Sequence, residues 1–97
     1  MKILAIEHEL SGTTAEQFQK YAKDEARMVW ELHQAGIIRE LYFRSDRNEA
    51  VLVFESDSVT NVEEALTKFP FVQAGLIIFE LIPLKAYPGF ERLFTQS

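Results

Sequence analysis

The chain has 97 residues, 47% of them apolar and 26% charged, which makes one domain with a real core and excludes both disorder and a second domain. Its formal net charge of −5, from 10 Lys and Arg against 15 Asp and Glu, supplies no field for gathering phosphate backbones or anionic lipid, so neither nucleic acid nor a membrane is an expected partner. The absence of cysteine excludes a disulfide framework, a thiolate zinc site and a cysteine nucleophile, and leaves stability to packing alone.

In chain order, Lys2 to Leu10 is rich in Ile and Leu and reads as a first strand that ends at a Ser-Gly-Thr-Thr turn. The apolar stretch before Glu7 is too short and too acidic for a signal peptide or a membrane span, so a cytoplasmic protein is expected. Thr14 and Gln17 have the spacing of a capping box and Gly36 suits the residue after a helix end, which predicts a helix over 15–35. IIRELYFRS and EAVLVFES favour β-branched and aromatic residues on either side of Asp46-Arg47-Asn48, the pattern of a β-hairpin. Ser58 opens a second helix with Val59, Val62, Leu66 and Phe69 at helical spacing, and Pro70 stops it. AGLIIFELIPL is a last strand, and AYPGFERLF closes the chain as a turn and an aromatic tail.

The order β-α-β-β-α-β predicts an α+β, ferredoxin-like domain over residues 1–97, a four-stranded antiparallel sheet with two helices on one face. The other sheet face should then be polar. It is not: residues 51–54 are apolar on both faces, as are 76–79 with Leu81 and Ile82. A chain this small cannot hide that much apolar surface alone, so the open face is expected to pack on a second copy in a homodimer, two sheets forming a dimeric α/β barrel. Tyr87, Phe90 and Phe94 of the tail either clasp that partner or fold onto their own subunit.

The long helix carries the most informative residue. On a wheel with Phe18 as origin, Ala22 and Val29 lie within about 40° on one side, Leu32 and Tyr21 lie further round on the other, and Glu25 falls between them. Asp24, Arg27, Glu31 and Gln34 project to the solvated side, so Glu25 is the acid of this helix aimed at the sheet. A carboxylate among apolar neighbours has its charged form disfavoured, which suits proton transfer near neutral pH; it equally suits a structural pair with an inward Arg39 or Tyr42. His33, two turns on, either donates to Glu25 or a ligand or interacts with the helix dipole. His8, between Glu7 and Glu9, reads as a satisfied or solvated histidine, and Glu80 as a structural residue that faces the sheet-to-sheet interface and needs a partner there. Trp30 and Tyr21 read as packing. No close ligand pair supports a metal site from His8, His33 and Glu25, and no phosphate loop, serine elbow or dinucleotide fingerprint appears, so neither metal nor cofactor is expected.

The segments DEARMVWELHQAG, IIRELY, VLVFES and LTKFPF, from Lys23 to Phe71, resemble the muconolactone isomerase-like proteins of the dimeric α/β-barrel superfamily. The resemblance lies in the Asp24-Glu25 pair before Gly36, in Arg39-x-Leu41-Tyr42, and in Phe69-Pro70-Phe71. It implies that Glu25 is the helix glutamate that moves a proton during double-bond migration in a lactone, and that higher oligomers of dimers occur. The lysine associated with that site has no counterpart, since Lys23 projects away from the Glu25 face, and Asp46-Arg47-Asn48 stands where glycine is expected.

The leading expectation is a small cofactor-free enzyme that transfers a proton or isomerises a small lactone or aromatic-derived substrate. Glu25 is its catalytic residue, Arg39 holds a substrate carboxylate, and His33 or Tyr42 polarises the substrate. The alternatives are a cofactor-independent monooxygenase on the same barrel and a non-catalytic ligand-binding or assembly module.

Overall fold

A computed structural model of the protein describes residues 1–95; the last two residues of the expected 1–97 domain lie outside the described part. Four strands, β1 (Lys2–Glu9), β2 (Ile38–Phe43), β3 (Ala50–Glu55) and β4 (Ile77–Pro83), form one antiparallel sheet in the order β2-β3-β1-β4. Between them lie α1 (Ala15–Gln34), α2 (Val59–Leu66) and the single turn α3 (Pro70–Gln73), and a short 3₁₀ helix spans Gly89–Leu93. This is the expected ferredoxin-like α+β arrangement.

Local chemistry sets the helix boundaries. The Thr14 hydroxyl accepts from the Gln17 N–H at 3.3 Å while the Gln17 side chain accepts from the Thr14 N–H at 2.9 Å, so two otherwise unpaired donors of α1 are satisfied reciprocally. At the other end Gly36 takes φ +77°, a conformation costly for any residue with a Cβ, and turns the chain into β2. Ser58 caps α2 by accepting from the Asn61 N–H at 3.1 Å. The second helix is shorter than the apolar spacing predicts: it ends at Leu66, and Pro70 opens α3 as its first residue. A proline cannot continue a helix but needs no N–H at the start of one.

Alternation along the strands divides the side chains between two faces. Ile3, Ala5, Leu52 and Phe54 point to the helix side and join Ile38, Val62, Leu66 and Phe69 in the core, with Met28, Val29 and Leu32 of α1 packed at its edge. On the other face, Leu4, Ile6, Val51, Val53, Ile78 and Ile82 make an apolar surface that the chain leaves uncovered, with Ile78 53% exposed. Glu80 lies on this open face, where its carboxylate meets His8 Nε2 at 3.0 Å; each satisfies the other.

Beyond β4 the chain runs on with Tyr87, Phe90, Leu93 and Phe94 all exposed, and Tyr87 and Phe90 stack edge to face at 5.1 Å. This tail lengthens the molecule to 60 × 28 × 20 Å. The radius of gyration, 16.3 Å, accordingly exceeds the ~12–13 Å of a compact chain this long. Among the described residues no helix is long and apolar enough to cross a membrane.

Candidate active site

Between α1 and the sheet lies an open cleft of about 1040 Å³. Its roof is α1, through Phe18, Ala22, Glu25, Ala26 and Val29; its floor is the sheet, through Glu7, Leu41, Phe43, Ala50, Leu52 and Phe79; Phe69 and Phe71 close one side. Edge-to-face contacts hold the aromatic wall, Phe18 on Phe71 at 5.1 Å and Phe69 on Phe79 at 5.7 Å. Apolar walls with few polar groups suit a small organic ligand.

Glu25 is the one buried residue of the twenty-residue helix α1, only 8% exposed. A glutamate at the position where a core helix usually presents its best-buried aliphatic side chain needs a reason. No cation provides it. One carboxylate oxygen accepts from the Phe71 N–H at 2.9 Å, and neither Arg39 nor Tyr42 reaches the carboxylate. Desolvation pushes the Glu25 pKa above its ordinary value, and the hydrogen bond from Phe71 offsets that only in part.

A second carboxyl faces the same space. Glu7 sits on β1 in line with Ile3 and Ala5, 6% exposed, and lines the floor of the cleft. Burial raises its pKa to about 7; the charge of Glu25, and after it those of Glu49 and Glu9, push the same way against a lowering contact with the Ala50 backbone. Glu7 was missed in the sequence because it flanks His8 in a charged tripeptide. The period of two that places Ile3 and Ala5 inward places Glu7 inward as well.

Glu49 is the third buried acid, and it is structural. Its carboxylate accepts from the Glu9 N–H at 2.7 Å and lies between Arg44 and Arg47, at 3.6 and 3.7 Å, pinning the β2–β3 hairpin to the end of β1. Both arginines also meet Asp46, to which Arg44 donates two hydrogen bonds at 2.9 and 2.7 Å.

The other expected site residues are divided. His33 lines the cleft beside Trp30. Its Nδ1 lies 2.8 Å from the Ile38 carbonyl, which only accepts, so Nδ1 carries the proton and Nε2 is left as an acceptor. Arg39 is not brought to the cleft: it occupies the irregularity between Ile38 and Glu40, and its Nε donates to the Gly36 carbonyl at 2.6 Å. The expected carboxylate-holding role therefore has no support from its position. Tyr42 pairs with Val51, which directs its side chain to the open face of the sheet, where the hydroxyl donates to Glu40 at 2.8 Å. The residue borders the cleft, but its hydroxyl is not bonded to Glu25. Among the described residues no cluster of His, Asp and Glu is placed to hold a metal ion.

The structure resembles several solved chains. One is muconolactone isomerase in a crystal structure at 3.3 Å resolution, with a TM-score of 0.73 at 19% identity over 91% of this chain and 92% of that one. Another is 5-chloro-2-hydroxyhydroquinone dehydrochlorinase from Burkholderia phenoliruptrix AC1100, in complex with 2,5-dihydroxybenzoquinone, with a TM-score of 0.66 at 18% identity over 92% and 98% of the two chains. At such identities these likenesses speak for the fold. No curated protein matches the sequence. The family model described as muconolactone delta-isomerase matches residues 5–89, a span that includes most of β1, the other three strands, α1 and both carboxyls of the cleft. The chain belongs to the muconolactone delta-isomerase family.

Proposed function

We propose that the protein is a small cofactor-free enzyme that moves a proton on a small organic substrate, with Glu25 as the catalytic base and acid. One observation carries this reading: the sole buried side chain of α1 is a carboxylate without a counter-cation, and it opens into an apolar cleft large enough for a one-ring compound. A purely structural glutamate would be paired with a cation or packed without a cavity beside it. Burial raises the proton affinity of Glu25 above that of an ordinary carboxyl, the direction that suits a residue which both takes and returns a proton.

The substrate class follows the named neighbours in outline: a lactone, as in muconolactone isomerase, or a hydroxylated ring, as in the dehydrochlorinase. The reaction is an isomerisation in which Glu25 removes a proton next to a carbonyl and returns it elsewhere. His33, whose free Nε2 stands at the rim, orients a substrate hydroxyl. The protein works as a homodimer through the apolar open face of its sheet, since Leu4, Ile6, Val51, Val53, Ile78 and Ile82 would otherwise meet water.

The test is Glu25→Gln, assayed on a panel of lactones and hydroxyquinones with circular dichroism as the control for folding. The variant keeps the fold and loses turnover on any panel member the parent converts. Undiminished turnover in that variant overturns the assignment. Oxygen consumption with such a substrate would identify a monooxygenase instead.

A further inference from the structure

The cleft contains more acid than one proton-moving residue requires and no lysine or arginine to balance it. Glu7 projects from the sheet floor and Glu25 from the helix roof into the same cavity, and each is more than nine-tenths buried within the chain. The other charged or titratable residues of the lining are Glu9, His33 and Tyr42, the last with its hydroxyl bonded to Glu40; none of the lining residues is a lysine or arginine. The arginines of the neighbouring elements are engaged elsewhere: Arg27 with Asp24, Arg39 with the Gly36 carbonyl, Arg44 with Asp46, and Arg47 with Glu49 at 3.7 Å.

We infer that Glu7 is a second catalytic acid–base group across the cleft from Glu25, and that the cleft accordingly takes an uncharged carbonyl or phenolic compound in preference to a carboxylate anion. The inference rests on the reading of Glu25 given above and narrows its substrate class. Two carboxyls sharing one low-dielectric cavity do not both ionise readily, because each charge raises the cost of the other. Between them they present one carboxylate, an acceptor, and one carboxylic acid, a donor. A molecule with a hydroxyl or acidic C–H at one end and a carbonyl at the other matches that pair. A substrate carboxylate meets the one carboxylate charge of the pair and no lysine or arginine in the lining, so its desolvation goes uncompensated.

The same pair supplies a balanced isomerisation. The Glu25 carboxylate takes the proton from a carbon next to the carbonyl; the electron pair of that C–H bond forms a new C=C bond, and the carbonyl π pair moves onto oxygen, which takes the proton of Glu7. In the resulting dienol, electrons return from the O–H end as Glu7 recovers its proton, and the far carbon of the conjugated system takes the proton held by Glu25. The double bond has moved by one position, and both carboxyls are back in their starting states. Of the groups facing Glu7, Glu25 on α1, Glu9 on its own strand and Glu49 beside β3 all disfavour its ionisation, which keeps Glu7 as the donor of the two.

Three probes that share a phenol ring and differ in charge test the inference: 4-hydroxybenzyl alcohol, 4-hydroxybenzoate and 4-hydroxybenzylamine. Their binding at neutral pH is followed through the backbone amide signals of Ala22 and Phe71. The alcohol should bind on the order of tenfold or more tighter than the benzoate, and Glu7→Gln should narrow that ratio by several-fold. Benzoate binding as tight as the alcohol, an amine that binds tightest, or no binding by any of the three overturns the inference. A charge preference that Glu7→Gln leaves unchanged overturns the role of Glu7. A Glu7 variant that failed to fold would leave the parent's own ordering of the three probes as the deciding result. Because binding is read without turnover, failure here is distinct from failure of the Glu25 assignment, which Glu25→Gln decides by catalysis.

Discussion

The Glu25 carboxylate accepts a hydrogen bond from the Phe71 N–H at 2.9 Å, tying the middle of α1 to the first turn of α3 across 46 positions of sequence. The contact does two things. It gives a buried carboxylate its only partner among the described residues, and it holds the Phe18–Phe71 aromatic pair as one wall of the cleft.

Glutamine at position 25 retains an oxygen that accepts from Phe71, whereas alanine leaves a half-buried N–H unsatisfied, at a cost of about 1–3 kcal/mol. Hydrogen exchange separates the two. The Phe71 amide should stay protected in Glu25→Gln and exchange roughly tenfold or more faster in Glu25→Ala, as expected when ~1.4 kcal/mol or more of local stability is lost. Equal protection in both variants would show that the helix turn holds Phe71 without help from Glu25.

Glu7 makes stability depend on pH in a defined direction. Its pKa rises from 4.5 to about 7 on folding, so the folded chain holds this proton more tightly than the unfolded chain does. The contribution is fully present below pH 4.5 and is lost as pH rises through 7; its size is at most about 3 kcal/mol for a shift of that order. Glu7→Gln cannot ionise. Its melting temperature should therefore exceed the parent's at pH 8 and match it closely near pH 4.5, and a parent that is more stable than the variant at pH 8 would contradict this account. An acid that destabilises its own fold at neutral pH is the pattern expected of a site kept for chemistry.

Glu49, unlike Glu7, accepts from the Glu9 N–H and lies within ion-pair distance of two arginines. Its replacement by alanine orphans that N–H and removes one of the two acids that Arg44 and Arg47 share, which should cost about 1–3 kcal/mol in denaturant unfolding. It also removes one of the charges that raise the Glu7 pKa, so the Glu7 titration should move down in the same variant.

The dimer prediction is tested at Ile78, which is 53% exposed in the protomer and sits on the open face opposite His8. Ile78→Lys leaves the core untouched and places a charge on the apolar surface, at its β4 edge. Sedimentation should show the parent as a dimer or a larger assembly and the variant as a monomer with unchanged circular dichroism. A parent that sediments as a monomer at micromolar concentration would refute the assembly.

The fold was legible because its signals are local. The capping box at Thr14, Gly36 at the helix end and the β-branched runs each specify a boundary by short-range chemistry, and the order of elements leaves few topologies. Pro70 was read as a stop when it also starts a turn, because the sequence does not show whether the chain behind a proline curls back. Glu25 emerged from helical periodicity alone. Its partner did not, because a backbone N–H carries no sequence signature, and Arg39 and Tyr42 were natural but incorrect places to look. Strand parity alone decides which face Tyr42 and Glu7 occupy, and a one-residue irregularity in β2 is enough to redirect it.

The central claim is that Glu25 and Glu7 are unpaired acids poised over one cleft, and ¹³C-detected titration of their side-chain carboxyls addresses it most directly. Both midpoints should lie above the ordinary value of 4.5, with Glu7 near 7 and its transition moving downward when Glu25 is replaced by glutamine. Midpoints at or below 4.5 for both would mean that the two carboxyls are solvated or paired, and would contradict the account.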